Sequence, residues 1–239
     1  MKRSVIAGLL IMQSLLSSAK DYPATLFNIR GDGATLNTRS IQFALDFIEK
    51  KGGGTLVFEV GRYLTGSIHL RSNVSIRLQE GAVLAGSLNP FDYDKQPVTA
   101  ITALIIAYGL HDIAITGKGV IDGQGRELAG NVAANYHKGI LEDQFRNDRP
   151  EVDKRAMIIN FRGCSNVLIK GITIRNSASW VETYDQCTHL RLDSIYVDSK
   201  AYWNNDGIDI VDCDSVAVTN SYIDSDDDGI CLKSQDASK

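Results

Sequence analysis

Four stretches of the chain repeat one five-residue pattern: Ser72-Asn73-Val74-Ser75-Ile76, Ser165-Asn166-Val167-Leu168-Ile169, Thr188-His189-Leu190-Arg191-Leu192 and Asp214-Ser215-Val216-Ala217-Val218. Each reads polar-polar-apolar-x-apolar, and Leu110-His111-Asp112-Ile113-Ala114-Ile115 fits the same template. Cys164, Cys187 and Cys213 precede three of them, 23 and 26 residues apart. A strand pattern recurring at this period, with turns between, predicts a stacked β-solenoid. Each coil contributes short strands with alternate residues pointing inward, and the next coil lies about 4.8 Å above in parallel register. Equivalent positions then form ladders. The three cysteines are therefore expected in one inward ladder as small buried free thiols, in preference to the two disulfides that four cysteines in an exported chain would otherwise suggest.

One segment carries a clear helical period. Ile41, Ala44, Leu45 and Ile48 fall at i, i+3, i+4 and i+7, between Asn37-Thr38 as caps and Gly52-Gly53-Gly54 as a stop. An open solenoid end exposes strand edges, so this short amphipathic helix is expected to cap the first coil. No closing segment follows Ile230-Cys231-Leu232 before Lys239, which predicts the N-terminal portion of a longer protein. Lys2 and Arg3, the apolar run Val5–Leu16 and Ser17-Ser18-Ala19 read as an export signal over residues 1–19. Residues 20–239 are left as one all-β domain, a length such architectures commonly reach. The formal charge of −4 offers no basic field for nucleic acid, and no later stretch is long and apolar enough to span a membrane. The expectation is a secreted or periplasmic protein, monomeric when full length.

Chemistry concentrates in Asn204-Asn205-Asp206-Gly207-Ile208-Asp209 and Asp224-Ser225-Asp226-Asp227-Asp228-Gly229-Ile230. Asp206 and Asp227 lie 21 residues apart, close to one coil, so Asp206 is expected within side-chain reach of Asp227 and Asp228. Carboxylates gathered so closely repel, and at least one holds a proton at working pH. A protonated carboxyl beside ionised ones is the equipment for glycosidic cleavage. Turns and calcium sites use the same residues, and both readings stay open on the residues alone.

The two acidic segments resemble the first two signatures of glycoside hydrolase family 28, the polygalacturonases. Gly119-Val120-Ile121-Asp122-Gly123-Gln124-Gly125, Asn176-Ser177-Ala178-Ser179-Trp180 and the segment from Asn28 to Gly66 are similar to that family as well. The resemblance implies a right-handed parallel β-helix that hydrolyses galacturonate-containing pectic polysaccharide with inversion and without a metal or other cofactor. It implies Asp227 as general acid, with Asp206 and Asp228 positioning and deprotonating the water. Asn204, Trp203 and Lys233 are assigned to substrate binding, Lys233 as a cation facing the cleft. Asn205 stands where the family commonly has Thr, a small polar change expected to leave the carboxylate in place. The Gly-His-Gly and Arg-Ile-Lys signatures that should follow have no match, so the chain alone is expected to be catalytically dead or severely impaired. Rung spacing brings carboxylates closer than the ~6.5–9.5 Å of inverting enzymes, which by itself favours retention.

Two rival functions are carried. A calcium-dependent β-helical polysaccharide lyase would be chelator-sensitive and leave an unsaturated product end. In a non-catalytic carbohydrate-binding solenoid the aspartates would only make turns. Other features read as structural. Arg30-Gly31-Asp32 is a turn, His69, His111, His137 and His189 share no ligand spacing, and Tyr202 either stacks on sugar or packs beneath a turn. Gly117, Gly119 and Gly123 do not make a dinucleotide fingerprint, because the spacing is wrong and no helix pattern follows.

Overall fold

The computed structural model describes residues 20–95, 101–142, 150 and 154–235, so the expected export signal over 1–19 lies outside the described residues. The chain runs a repeated circuit through three sheets, all of whose strand pairings are parallel. The first sheet holds Asp21–Pro23, Gly54–Phe58, Val74–Leu78, His111–Gly117, Ser165–Lys170, Thr188–Asp193 and Asp214–Thr219. The second holds Asp32–Leu36, Gly61–Thr65, Ala82–Gly86, Val120–Asp122, Thr173–Arg175, Tyr196–Ser199 and Tyr222–Ser225. The third holds Ile68–His69, Ala103–Tyr108, Met157–Arg162, Glu182–Asp185, Ile208–Val211 and Ile230–Lys233. This is the stacked parallel solenoid that the repeat predicts, and every copy of the five-residue template falls in the first sheet.

The template's second polar residue has a backbone reason. Asn73, Asp112, Asn166, His189 and Ser215 all have positive φ, between 52° and 62°. Non-glycine residues rarely tolerate that region, and short polar side chains do so best. The matching positions stack, so the pairing passes from Ser165↔Thr188 directly to Val167↔Leu190. Asn166 Nδ2 donates to Asp112 Oδ1 across the rungs at 3.0 Å.

Two of the three corners are tight. Later rungs pass from the third sheet to the first, and from the first to the second, through two residues each. The cysteines occupy the second position of the former corner, where Cys164 and Cys187 are buried and Cys213 is half-buried. All four cysteines are free, and Cys187 N–H donates to Cys213 Sγ at 3.3 Å. The corner from the second sheet to the third is the variable one. It spans from two residues, 66–67, to thirty-four, 123–156.

Helix α1, Thr38–Lys50, takes the place of a third-sheet strand in the first coil. It buries Ile41, Ala44, Leu45 and Ile48 completely. Gln42 Nε2 donates to His69 O at 3.0 Å and Gln42 Oε1 accepts from His69 N at 2.8 Å, so a side chain pairs the strand edge that another strand would have covered. A second helix, α2, Gly125–His137, corrects the expectation that no helix follows Gly123. Its buried Leu128, Ala129 and Val132 make too short a stripe, diluted by glycine and asparagine, to register as a helical period. A Cβ at Gly125 would stand 2.2 Å from the Ser177 backbone, so that turn needs glycine.

Inward ladders fill the core. In the first sheet Leu56, Ile76, Ile115, Ile169, Leu192 and Val218 stack in order. Each fully buried aliphatic side chain contributes about 1.5–3 kcal/mol. The third sheet stacks Ile68, Ile105, Ile159, Glu182, Ile208 and Ile230, so a glutamate interrupts a column of isoleucines. Glu182 is fully buried, and Tyr184 Oη donates to its Oε2 at 2.6 Å while Oε1 has no partner. Burial pushes its carboxyl up to about 7, against the lowering effect of the Tyr184 hydrogen bond.

The raised folded-state pKa makes Glu182 a source of stability below its unfolded value of 4.5, lost as pH rises through about 7. The loss is roughly 3 kcal/mol. Urea unfolding of the parent chain and of Glu182→Gln at about pH 4 and pH 8 should show their stability difference moving by that amount, with the parent the relative loser at high pH.

Candidate active site

The long turn from Ser199 to Ile208 carries the first acidic segment, and a buried amide holds it. Asn205 is fully buried. Its Oδ1 accepts from Ser199 Oγ at 2.8 Å and Ala201 N at 3.0 Å, and its Nδ2 donates to Ser177 O at 3.1 Å and Ser179 O at 2.8 Å. Every hydrogen-bonding site on that amide is used. Arg155, also buried, donates to Ala178 O at 2.6 Å and Trp203 O at 2.7 Å and lies 5.0 Å over the Tyr202 ring. Tyr202 thus packs under the turn, while Trp203 is 55% exposed. Asn204, half-buried, takes positive φ at 56°, which turns the chain into the strand.

Backbone bonds fix Asp206 between its neighbours. Val181 N donates to Asp206 O at 2.8 Å, and Gly207 N donates to Asp228 O at 2.8 Å. A Cβ on Gly207 would come within 2.5 Å of Gly229 O, so this contact requires glycine. Ile208 pairs with Ile230, an offset of 22, one more than the 21 separating Asp206 from Asp227. Asp206 accordingly stands against Asp228. Oxygens of these two carboxylates and the Cys231 sulfur lie within 4.8 Å of one another.

Asp206 is only 7% exposed, whereas Asp227 and Asp228 are exposed on the next rung. Burial raises the Asp206 pKa, the Asp209 charge raises it further, Lys233 partly offsets this, and Asp227 adds to the rise. Asp206 Oδ1 is buried without a hydrogen-bond partner. Lys233 Nζ stands 3.4 Å from Asp206 Oδ2, 2.7 Å from Asp209 Oδ1 and 5.2 Å over the Trp180 ring. Burial lowers the Lys233 pKa, but Asp209 and Asp206 more than reverse that. On the next rung Asp227 Oδ1 accepts from Asp228 N at 3.1 Å, and the Cys231 thiol donates to Asp228 Oδ2 at 3.1 Å. Burial and that hydrogen bond push the thiol up to about 12.

Beside Asp209 and Lys233 the outer face of the third sheet forms a cavity of about 120 Å³, walled by Trp180, Asn160, Thr183 and the Arg162–Asp185 ion pair. Asp209, Trp180 and Arg155 belong to this neighbourhood although no role was assigned to them from sequence. For Asp209 the signal was available, since a lone polar residue between Ile208 and Ile210 points outward. Arg155 and Asn205 act through backbone carbonyls, which no residue pattern records. Among the described residues, Asp206, Asp228 and Cys231 are the one cluster of three grouped donors, and the four histidines contribute none. A set containing sulfur is unlike the all-oxygen shell calcium takes.

A family model for glycosyl hydrolases family 28 matches residues 55–238. The chain is 28% identical to the exo-poly-alpha-D-galacturonosidase of Dickeya chrysanthemi, over 90% of this chain and 42% of that protein. It superposes with a TM-score of 0.79 on a Parabacteroides merdae protein described as a candidate glycosyl hydrolase, at 38% identity, covering 90% of this chain and 89% of that one. The family 28 exopolygalacturonase of Yersinia enterocolitica gives a TM-score of 0.77 at 27% identity, covering 89% of this chain and 44% of that one. The chain therefore spans less than half the length of these two galacturonan-acting relatives. The structural neighbours are right-handed parallel β-helices, and the three-sheet coil has that fold.

Removing the Asn205 amide strands two acceptors and two donors in a dry turn. Asn205→Ala should destabilise the chain by about 3 kcal/mol, and Asn205→Thr by less because a hydroxyl restores part of the pairing. Urea unfolding of the two variants measures both.

Proposed function

Because the chain belongs to glycosyl hydrolases family 28, we propose that it hydrolyses O-glycosidic bonds in galacturonate-containing pectic polysaccharide by acid/base action of carboxylates. One observation carries the reading. The side chains of Asp206 and Asp228 stand together on adjoining rungs with Lys233 against Asp206, and Asp227 is next along the chain. In this reading Asp227 protonates the leaving oxygen, and Asp206 and Asp228 hold the water and take its proton. A carboxylate whose pKa burial has raised is the stronger base, which suits Asp206.

In this reading Asp206 and Asp228 share one side of the water, and inversion requires the wide separation to lie between that pair and Asp227. Lys233 offers a cation to the substrate carboxylate, and Trp203 and Asn204 border the same turn. A polyanion needs local positive charge, which Lys233 supplies in this reading. Export through the segment at residues 1–19 and a monomeric state belong to the same proposal. No helix among the described residues is long and apolar enough to cross a membrane.

At high protein concentration, polygalacturonate should slowly yield new reducing ends whose first-formed anomer is opposite to that of the cleaved bond. Asp227→Asn should lower the rate about 100-fold or more. Lys233→Ala should weaken oligogalacturonate binding, read by calorimetry. Hydrolysis indifferent to Asp227→Asn would overturn the assignment.

A further inference from the structure

Cys231 introduces a soft donor into a site otherwise made of oxygen and nitrogen. Its rung pairs Cys231 with Asp209 and sets Asp228 against Asp206, so three donor atoms from two adjoining coils converge within 4.8 Å of one another. Bonds of about 2.0–2.3 Å from one central ion reach donors so placed after small side-chain rotations. A second observation points the same way. Asp206 Oδ1, on a side chain more than nine-tenths buried, has no hydrogen-bond partner, while Lys233 stands at the other oxygen and closer to Asp209.

We propose that Asp206, Asp228 and Cys231 bind a thiophilic divalent cation of the zinc and cadmium class. The thiol selects the ion, since calcium and magnesium take oxygen shells whereas zinc and cadmium accept thiolate. On binding, the Cys231 S–H bond breaks, its electron pair stays on sulfur to form the metal–sulfur bond, and the proton leaves to solvent. Two carboxylates and one thiolate then face two positive charges from the ion, with Lys233, itself paired with Asp209, beside them. With Asp206 and Asp228 engaged, neither is free to take a proton from water. That inhibitory consequence rests on the function proposed above, but the binding does not.

The test uses the full chain and cadmium ion alone, followed by the ultraviolet charge-transfer absorption of the cadmium–thiolate bond. One equivalent should saturate the band and zinc should bleach it by competition, while excess calcium leaves it unchanged. Cys231→Ser should abolish the band, with the other three cysteines intact and the circular dichroism of the parent retained. Asp206→Asn should weaken binding roughly tenfold or more. A band that survives Cys231→Ser, ignores Asp206→Asn or yields to calcium would overturn the site, as would absence of any band. Binding without any polygalacturonate hydrolysis for zinc to inhibit would count against the catalytic reading and leave the metal site standing.

Discussion

The backbone hydrogen bonds between successive coils are what everything else in the molecule depends on. They repeat at about 4.8 Å and join each residue to its counterpart one turn later. Side chains far apart in sequence therefore become nearest neighbours in columns, and a column can serve opposite ends. Facing inward, it stacks Leu56 to Val218 into a continuous hydrocarbon rod. Around the turn before the third sheet, the same translation sets Asp206 against Asp228, while Asp206 and Asp209 share one lysine.

Much of this was legible in the residues because stacking writes itself into sequence as a repeat. Every copy of the five-residue template falls in the first sheet, and its second position is polar because the backbone turns left-handed there. The capping helix was equally plain, since Ile41, Ala44, Leu45 and Ile48 form an undiluted stripe. What was not legible depends on contacts made at a distance. Helix α2 buries only three consecutive-turn apolar side chains, so its period drowned among glycines and asparagines. Counting residues brought Asp206 within reach of both Asp227 and Asp228, and only the register, with Ile208 against Ile230, sets it against Asp228. Asn205 read as a conservative replacement, yet its amide ties three segments together through carbonyls and amides that no motif encodes.

Glu182 and Asp206 show burial acting on carboxyls in two settings. Glu182 is enclosed by isoleucine above and below, with one tyrosine hydroxyl for company, and burial pushes its carboxyl up to about 7. Asp206 is nearly as enclosed but has a lysine beside it and like charges around it, so its proton affinity is balanced between opposing fields. The first arrangement is a local weakness in a hydrocarbon column. The second is the kind of balance from which proton transfer can be run.

The unequal corners have a further consequence for how such a molecule can change. In the later coils two edges of the prism are pinned at two residues per turn, while the third takes up four residues in one coil and thirty-four in another without disturbing the registers on either side. Asp206 lies on that permissive edge. Evolution can thus lengthen, shorten or replace the rim around the reacting groups while the spiral beneath keeps its pitch, so that altering what the rim grasps need not endanger the scaffold that supports it.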